Sequence, residues 1–184
     1  MVLYVNSCVR DGSRTDRLAK ALLAKLGEYR EIKLDELALM PLDNERLRCR
    51  TEKLENGSLE DEGFALSRQF AEADTIVIAA PYWDGSFPSL LKIYFENIYV
   101  TGIVSEYGSD GRPHGLCRAE KLYYVTTAGG PYNPQYSYAY VEDLAQNMFG
   151  IKETELLYVE NMDIVGNDPE KMLTLAIDAL KVKV

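Results

Sequence analysis

"DTIVIAAPYWDGSFPSLLKIYFENI", residues 74–98, decides how the rest of the chain is read. Its opening, 74–81, holds an unbroken apolar run rich in β-branched side chains. A strand with one wet face alternates polar and apolar residues; a run without alternation is covered on both faces, as at the centre of a parallel sheet. Asp84-Gly85 is a turn signal. Pro88 suits the first turn of a helix over 88–100, because its fixed φ and missing N–H cost nothing there. A buried strand, a turn and a helix make half of a βαβ unit.

Working outward, the same alternation repeats. "VLYV" (2–5) reads as a buried strand, and 15–27 as a helix with Leu18, Leu22 and Leu26 at helical spacing and Gly27 as its stop. Residues 29–37 read as an edge strand. Residues 38–63 are polar and turn-rich, an excursion of a length that is usually functional or interface-forming. A helix follows over 64–73, ahead of the central strand. Beyond the 88–100 helix, 104–118 reads as a Gly/Ser/Asp loop and 121–130 as a strand ending in glycines. Residues 138–150 read as a helix stopped by Gly150, 154–161 as a last strand, and 168–181 as a last helix capped by Asp168 with Pro169 at its first position. Five strands alternating with helices predict an α/β fold: a three-layer, doubly wound, five-stranded parallel sheet of order 2-1-3-4-5. No repeat or linker interrupts it, so one domain is expected over 1–184.

Composition narrows the partners. The chain has 184 residues, is 47% hydrophobic and carries a net charge of -9. That balance argues against broad binding to nucleic acid or an anionic membrane, both of which need a basic face. No apolar run approaches the length of a membrane span, and "MVLYV" lacks the basic flank and length of a signal peptide. Cys8, Cys49 and Cys117 are few and unpaired in spacing, which fits a reducing cytoplasm. With one histidine, His114, and no CxxC, no metal site is expected.

In such sheets ligands bind beyond the carboxyl ends of the strands, near strands 1 and 3. Three loops lie there: 6–15, 81–88 and 126–136. In the first, a helix starting near Thr15 aims free N–H groups and partial positive charge at the loop. Ser13 and Thr15 add hydroxyls, and Arg10 and Arg14 add forked donors. The same stretch also has a cysteine phosphatase's spacing: Cys8, five residues, then Arg14 and Thr15. In that reading Cys8 is a thiolate nucleophile and Asp168 the general acid. The second loop places Tyr82 and Trp83 at a strand's end, a wall suited to a planar ring. In the third, Gly129 and Gly130 permit close backbone approach. Each loop alone also reads as ordinary structure: a capped helix, aromatics closing a sheet, a glycine turn.

Together they resemble one family. "AAPYWDGSFPSLLKIYFENI" (79–98) is similar to the Ala-Pro, aromatic turn and Leu-Lys-x-Tyr-Phe-Asp/Glu helix of the flavodoxin-like NAD(P)H-dependent FMN oxidoreductases, which include quinone reductases and azoreductases. Here Leu91, Lys92, Tyr94, Phe95 and Glu96 supply the helix pattern. "TTAGG" (126–130) resembles the family's Ser/Thr-x-Gly-Gly loop, and Cys8, Val9, Arg10, Ser13 and Thr15 match its Ser-Pro-Arg-x-x-Ser-x-Ser loop, with cysteine replacing the first serine. The resemblance implies FMN as cofactor and NADH or NADPH as donor. Cys8, Ser13, Arg14 and Thr15 would hold the phosphate. Pro81 and residues Tyr82, Trp83, Asp84 and Gly85 would line the flavin near its N5, and Thr127, Ala128, Gly129 and Gly130 would meet the pyrimidine side. It further implies hydride passing through the flavin to a quinone, azo compound, nitroaromatic or free flavin, and a homodimer. The family's tyrosine–histidine proton relay is matched only by Tyr132 or Tyr136, since no histidine follows the glycine loop. A flavodoxin-type electron carrier is a third reading, less consistent with the long excursion and the tyrosine-rich loop.

Overall fold

The computed structural model describes residues 1–181; the last three residues of the expected domain, 182–184, lie outside it. Five parallel strands form the main sheet: β1 (Val2–Asn6), β2 (Tyr29–Lys33), β3 (Thr75–Ala79), β6 (Lys121–Thr127) and β7 (Glu153–Val159). Their spatial order is β2-β1-β3-β6-β7. This is the expected 2-1-3-4-5 order, with a short hairpin, β4 (Ser105–Tyr107) and β5 (Pro113–Gly115), inserted between the third and fourth strands.

The register explains the two-layered core. Val5 pairs with both Ile32 and Ile78, Ile78 with Tyr124, and Tyr124 with Leu156, so one row of apolar side chains crosses all five strands. That row faces α3 (Ala65–Ala71), α4 (Ser89–Ile98) and α5 (Tyr138–Asp143), where Phe70, Leu91, Tyr94, Phe95 and Val141 meet it. The alternate residues Tyr4, Val77, Ala79, Tyr123 and Val125 point the other way. They pack on Leu18, Leu22 and Leu23 of α1 (Arg14–Leu26) and Leu173 of α6 (Pro169–Ala179). Period-2 side chains on a strand covered on both faces produce the unbroken apolar run seen in the sequence.

Four segments differ from the sequence reading. Residues 29–37 are not one strand: β2 ends at Lys33 and a 3-10 turn over Leu34–Glu36 buries Leu34. The 38–63 excursion holds a further helix, α2 (Asn44–Glu55), capped by Asp43 and burying no residue. The Arg50 guanidinium ties it to the carbonyls of Glu96, Asn97 and Tyr99 at the end of α4. Segment 104–118 contains the β4–β5 hairpin, and its Gly115 lies so close to the Phe149–Gly150 backbone that no side chain would fit there. Finally, 138–150 is not one α-helix, because after Asp143 it widens into a π-helical stretch over Leu144–Phe149. No helix of the described residues is long and apolar enough to cross a membrane.

Candidate functional site

The carboxyl ends of β1, β3 and β6 bring the three loops around one cleft of about 390 Å³. Its lining comprises Arg10, Gly12, Ser13, Arg14 and Thr15 from the first loop, Pro81, Tyr82 and Trp83 from the second, Thr127, Ala128 and Gly129 from the third, and Asp163 beyond β7. Of the residues singled out from sequence, Cys8, Asp84, Gly85 and Gly130 do not line it. Gly12 and Asp163 join it without having been singled out.

The first loop is held from beneath. Asn6, buried at the end of β1, accepts the Cys8 N–H on its Oδ1 at 2.9 Å and donates to Asp16 and Glu31 at 3.1 and 2.8 Å. The Tyr4 hydroxyl donates to the same Asp16 carboxylate at 2.7 Å, and burial, with that bond, holds its pKa far above the ordinary tyrosine range. Gly12, at φ +68, takes the left-handed turn that starts the helix. Ser13 caps α1, accepting the Asp16 N–H at 3.4 Å. With the Arg17 N–H donating to Ser13 O at 3.0 Å, the first-turn N–H groups left without an intrahelical partner are those of Arg14 and Thr15, both of which line the cleft. Thr15 shares a 2.7 Å hydrogen bond with Thr127, which joins the first loop to the third. Arg14 Nη1 donates to Asp163 Oδ1 at 2.8 Å across the cleft.

Cys8 stands apart from this donor set. It is 3% exposed and packs among Tyr4, Leu18 and Val77, its Sγ facing the Ala79 carbonyl at 3.9 Å. Burial pushes its thiol up to about 12, against a smaller lowering by the Ser13 hydroxyl. A protonated thiol turned into the core is no nucleophile. Asp168 accepts the N–H groups of Glu170 and Lys171 as the cap of α6. The phosphatase reading thus loses both of its actors.

The second loop is a tight hairpin. Trp83 and Ser86 exchange two backbone bonds of 2.8 Å, and Asp84 and Gly85 at φ +49 and +83 form the turn between them. Successive positive φ values demand this Asp-Gly pair. Asp84 and Gly85 are the exposed tip, outside the lining of the cleft, while Trp83 stands in that lining 41% exposed. The Tyr82 N–H donates to Thr127 O at 3.2 Å, and its ring is propped edge-on by Tyr132 at 4.9 Å.

The third loop is laced to the chain beyond β7. Met162 and Asp163 donate to the carbonyls of Ala128 and Gly129, and Asn161 to that of Gly130. The Asp163 carboxylate lies directly over Gly129, where any Cβ would collide with it. Tyr132 is tied to Ser137 at 2.9 Å and stands behind Tyr82; Tyr136 is exposed, and its carbonyl accepts from Ser86. Asp163 was findable in principle, since it follows a strand's carboxyl end at the same edge of the sheet as the three loops.

Chemically, the cleft joins two halves. A helix start, two hydroxyls and two guanidiniums suit a dianionic phosphate, the donors being aimed and forked. Trp83, Tyr82 and the half-buried Thr127 and Gly129 suit the faces and polar edge of a flat heteroaromatic ring. The donor set fits a phosphate-bearing planar group.

A family model described as the flavodoxin-like fold matches residues 1–184. The chain belongs to the flavodoxin-like fold family. It is 33% identical over 195 aligned residues to the FMN-dependent NADH:quinone oxidoreductase 2 of Clostridium acetobutylicum, a match covering 98% of this chain and 96% of that protein. Over 119 residues it is 40% identical to an FMN-dependent NADH:quinone oxidoreductase of Coprothermobacter proteolyticus, covering 61% of this chain and 57% of the relative. Among solved structures, an azoreductase from Bacillus anthracis superposes with a TM-score of 0.80 at 22% identity, covering 96% and 94% of the two chains. An FMN-dependent NADH-azoreductase from the same species, in complex with FMN, gives 0.79 at 22% identity over 96% and 93%. At that identity the likeness speaks for the fold.

Proposed function

We propose that this chain is an FMN-dependent oxidoreductase that takes electrons from NADH and passes them to a small acceptor of the quinone or azo class. One observation carries the reading: in a chain alike over nearly its whole length to an FMN-dependent NADH:quinone oxidoreductase, a phosphate-type donor set and an aromatic wall converge on a single cleft. In this reading Ser13, Arg14, Thr15 and the first turn of α1 hold the phosphate, with Arg10 adding charge. Tyr82 and Trp83 flank the ring, and the Gly129 N–H offers a donor to its pyrimidine edge, where it stabilises negative charge. FMN, when bound, supplies the electron-transfer chemistry itself; the protein binds, orients and shields. Cys8 serves as packing beneath the loop. With the Tyr132 hydroxyl held by Ser137 behind Tyr82, protons reach the acceptor from solvent through the open cleft.

Exposed apolar side chains stand in the segments that supply the cleft: Trp83 in its lining, and Val9, Tyr136, Ile164 and Val165 in the loops around it. Such a surface suits a protein partner, and we read it as the seat of a second copy in a homodimer. The three free cysteines suit a cytoplasmic protein. The test is direct. The purified chain is mixed with FMN, desalted, and treated anaerobically with NADH. Retention of a flavin spectrum that NADH bleaches supports the reading. A chain that holds FMN but never responds to NADH or NADPH is a carrier instead.

A further inference from the structure

We propose that Asp163 is an in-chain competitor for the phosphate group: its carboxylate occupies Arg14 across the cleft and sets how firmly an anion is held there. This rests on the cleft being the FMN site. Arg14 leads the first turn of α1, and Asp163 lies 149 residues later, beyond β7. Their 2.8 Å ion pair is a strap over the cleft between the first loop and the chain that laces the third.

The carboxylate is held in place by more than Arg14. The Asp163 N–H donates to Gly129 O at 2.8 Å, and its side chain lies flat on Gly129, which has no Cβ to exclude it. The neighbouring cation Arg17 is taken by both oxygens of Glu170, at 2.9 and 2.7 Å, so it does not draw Asp163 away. Asp163 is 63% exposed and Arg14 33%, so the pair can open without disrupting the core.

A phosphate accepting from Arg14 would sit within a few ångströms of that carboxylate. Either Asp163 yields the guanidinium, or two like charges share one cation. Both weaken anion binding by the scale of a partly exposed charge pair. The carboxylate also stands ready to reclaim Arg14 as a ligand leaves, which makes the phosphate group exchangeable. A ligand without a phosphate feels neither effect.

FMN and riboflavin, the same ring without the phosphate, are titrated into the apoprotein and followed by flavin fluorescence. The variants are Asp163→Asn, Arg14→Gln and the double variant, with Asp163→Ser as a second probe should the amide perturb folding by circular dichroism. Asp163→Asn is expected to tighten FMN about threefold to tenfold and leave riboflavin unchanged. In the Arg14→Gln background the gain shrinks, because no guanidinium is left to free; a gain as large as with Arg14 present would overturn competition for that cation. A gain shared equally by riboflavin, an unchanged FMN affinity, or weaker binding of both flavins would overturn the competitor role; the last would make Asp163 a direct ligand. A wild-type chain that binds neither flavin overturns the reading of the cleft, and the competitor role with it.

Discussion

Replacing Cys8 by serine separates a structural thiol from a reacting one. The wild-type thiol is buried and pushed up to about 12 from an ordinary 9.0. Between those values the unfolded chain releases the proton and the native chain keeps it. The native state then binds more protons than the unfolded state, so stability falls as pH rises through that window. The contribution is complete below pH 9 and shrinks above it. From pH 8 to pH 10 the proton linkage of one such thiol lowers unfolding free energy by about 1.4 kcal/mol. Serine does not titrate there. Urea unfolding of wild type and Cys8→Ser at the two pH values should therefore show the variant losing about 1.4 kcal/mol less. At pH 8 the variant should itself be about 1 kcal/mol less stable, a hydroxyl having replaced a buried thiol. FMN affinity should stay within about twofold, since Cys8 lies outside the cleft. Equal alkaline losses in both proteins would mean that the thiol is not shielded. Loss of turnover with FMN still bound would show that the first loop attacks its substrate.

Four further outcomes follow, three from the site and one from the fold. Trp83→Ala should weaken FMN by about 1–3 kcal/mol, the scale of stacking on an aromatic side chain, with little change in melting temperature, because Trp83 is largely outside the core; calorimetric titration and thermal unfolding read the two effects. Thr15→Val removes the hydroxyl pair with Thr127 and should cost about 1 kcal/mol of stability while weakening FMN, the latter measured by fluorescence. Asn6→Ala leaves the Cys8 N–H, Asp16 and Glu31 short of a partner and should destabilise by about 1–3 kcal/mol in urea. Arg50→Ala should loosen α2 first, seen as faster amide exchange over 44–55 with the central strands unchanged, since that helix buries no residue fully.

The fold was legible because burial dictates it. Residues 74–81 read as a two-faced strand because helices cover both faces, and α1 reads as a helix because Leu18, Leu22 and Leu26 repeat along the stripe that turns Leu18, Leu22 and Leu23 inward. Where burial is absent the sequence falls silent. Helix α2 has no apolar stripe, only a cap at Asp43, the Arg50 anchor, a Lys53–Asp61 ion pair and one half-buried Leu54, so little in the local pattern distinguishes it from a polar loop. The β4 and β5 strands are three residues each, and one is opened by a proline. The site was partly legible. Loop positions follow from topology, which brought Ser13–Thr15, Pro81–Trp83 and Thr127–Gly129 together. The direction of a side chain within a loop does not follow. Cys8 is buried and the Asp84-Gly85 tip stays outside the lining of the cleft, and sequence spacing encodes neither. Asp163 reaches Arg14 only because β7 ends beside β6, a contact 149 residues apart.

The central claim is that the cleft holds FMN and exchanges electrons with NADH. Anaerobic addition of NADH to the desalted, FMN-loaded chain tests it most directly. The flavin absorption should disappear and return when a quinone is added. A chain that retains no FMN after desalting and cannot be loaded with it, yet cleaves p-nitrophenyl phosphate in a Cys8-dependent way, would contradict it.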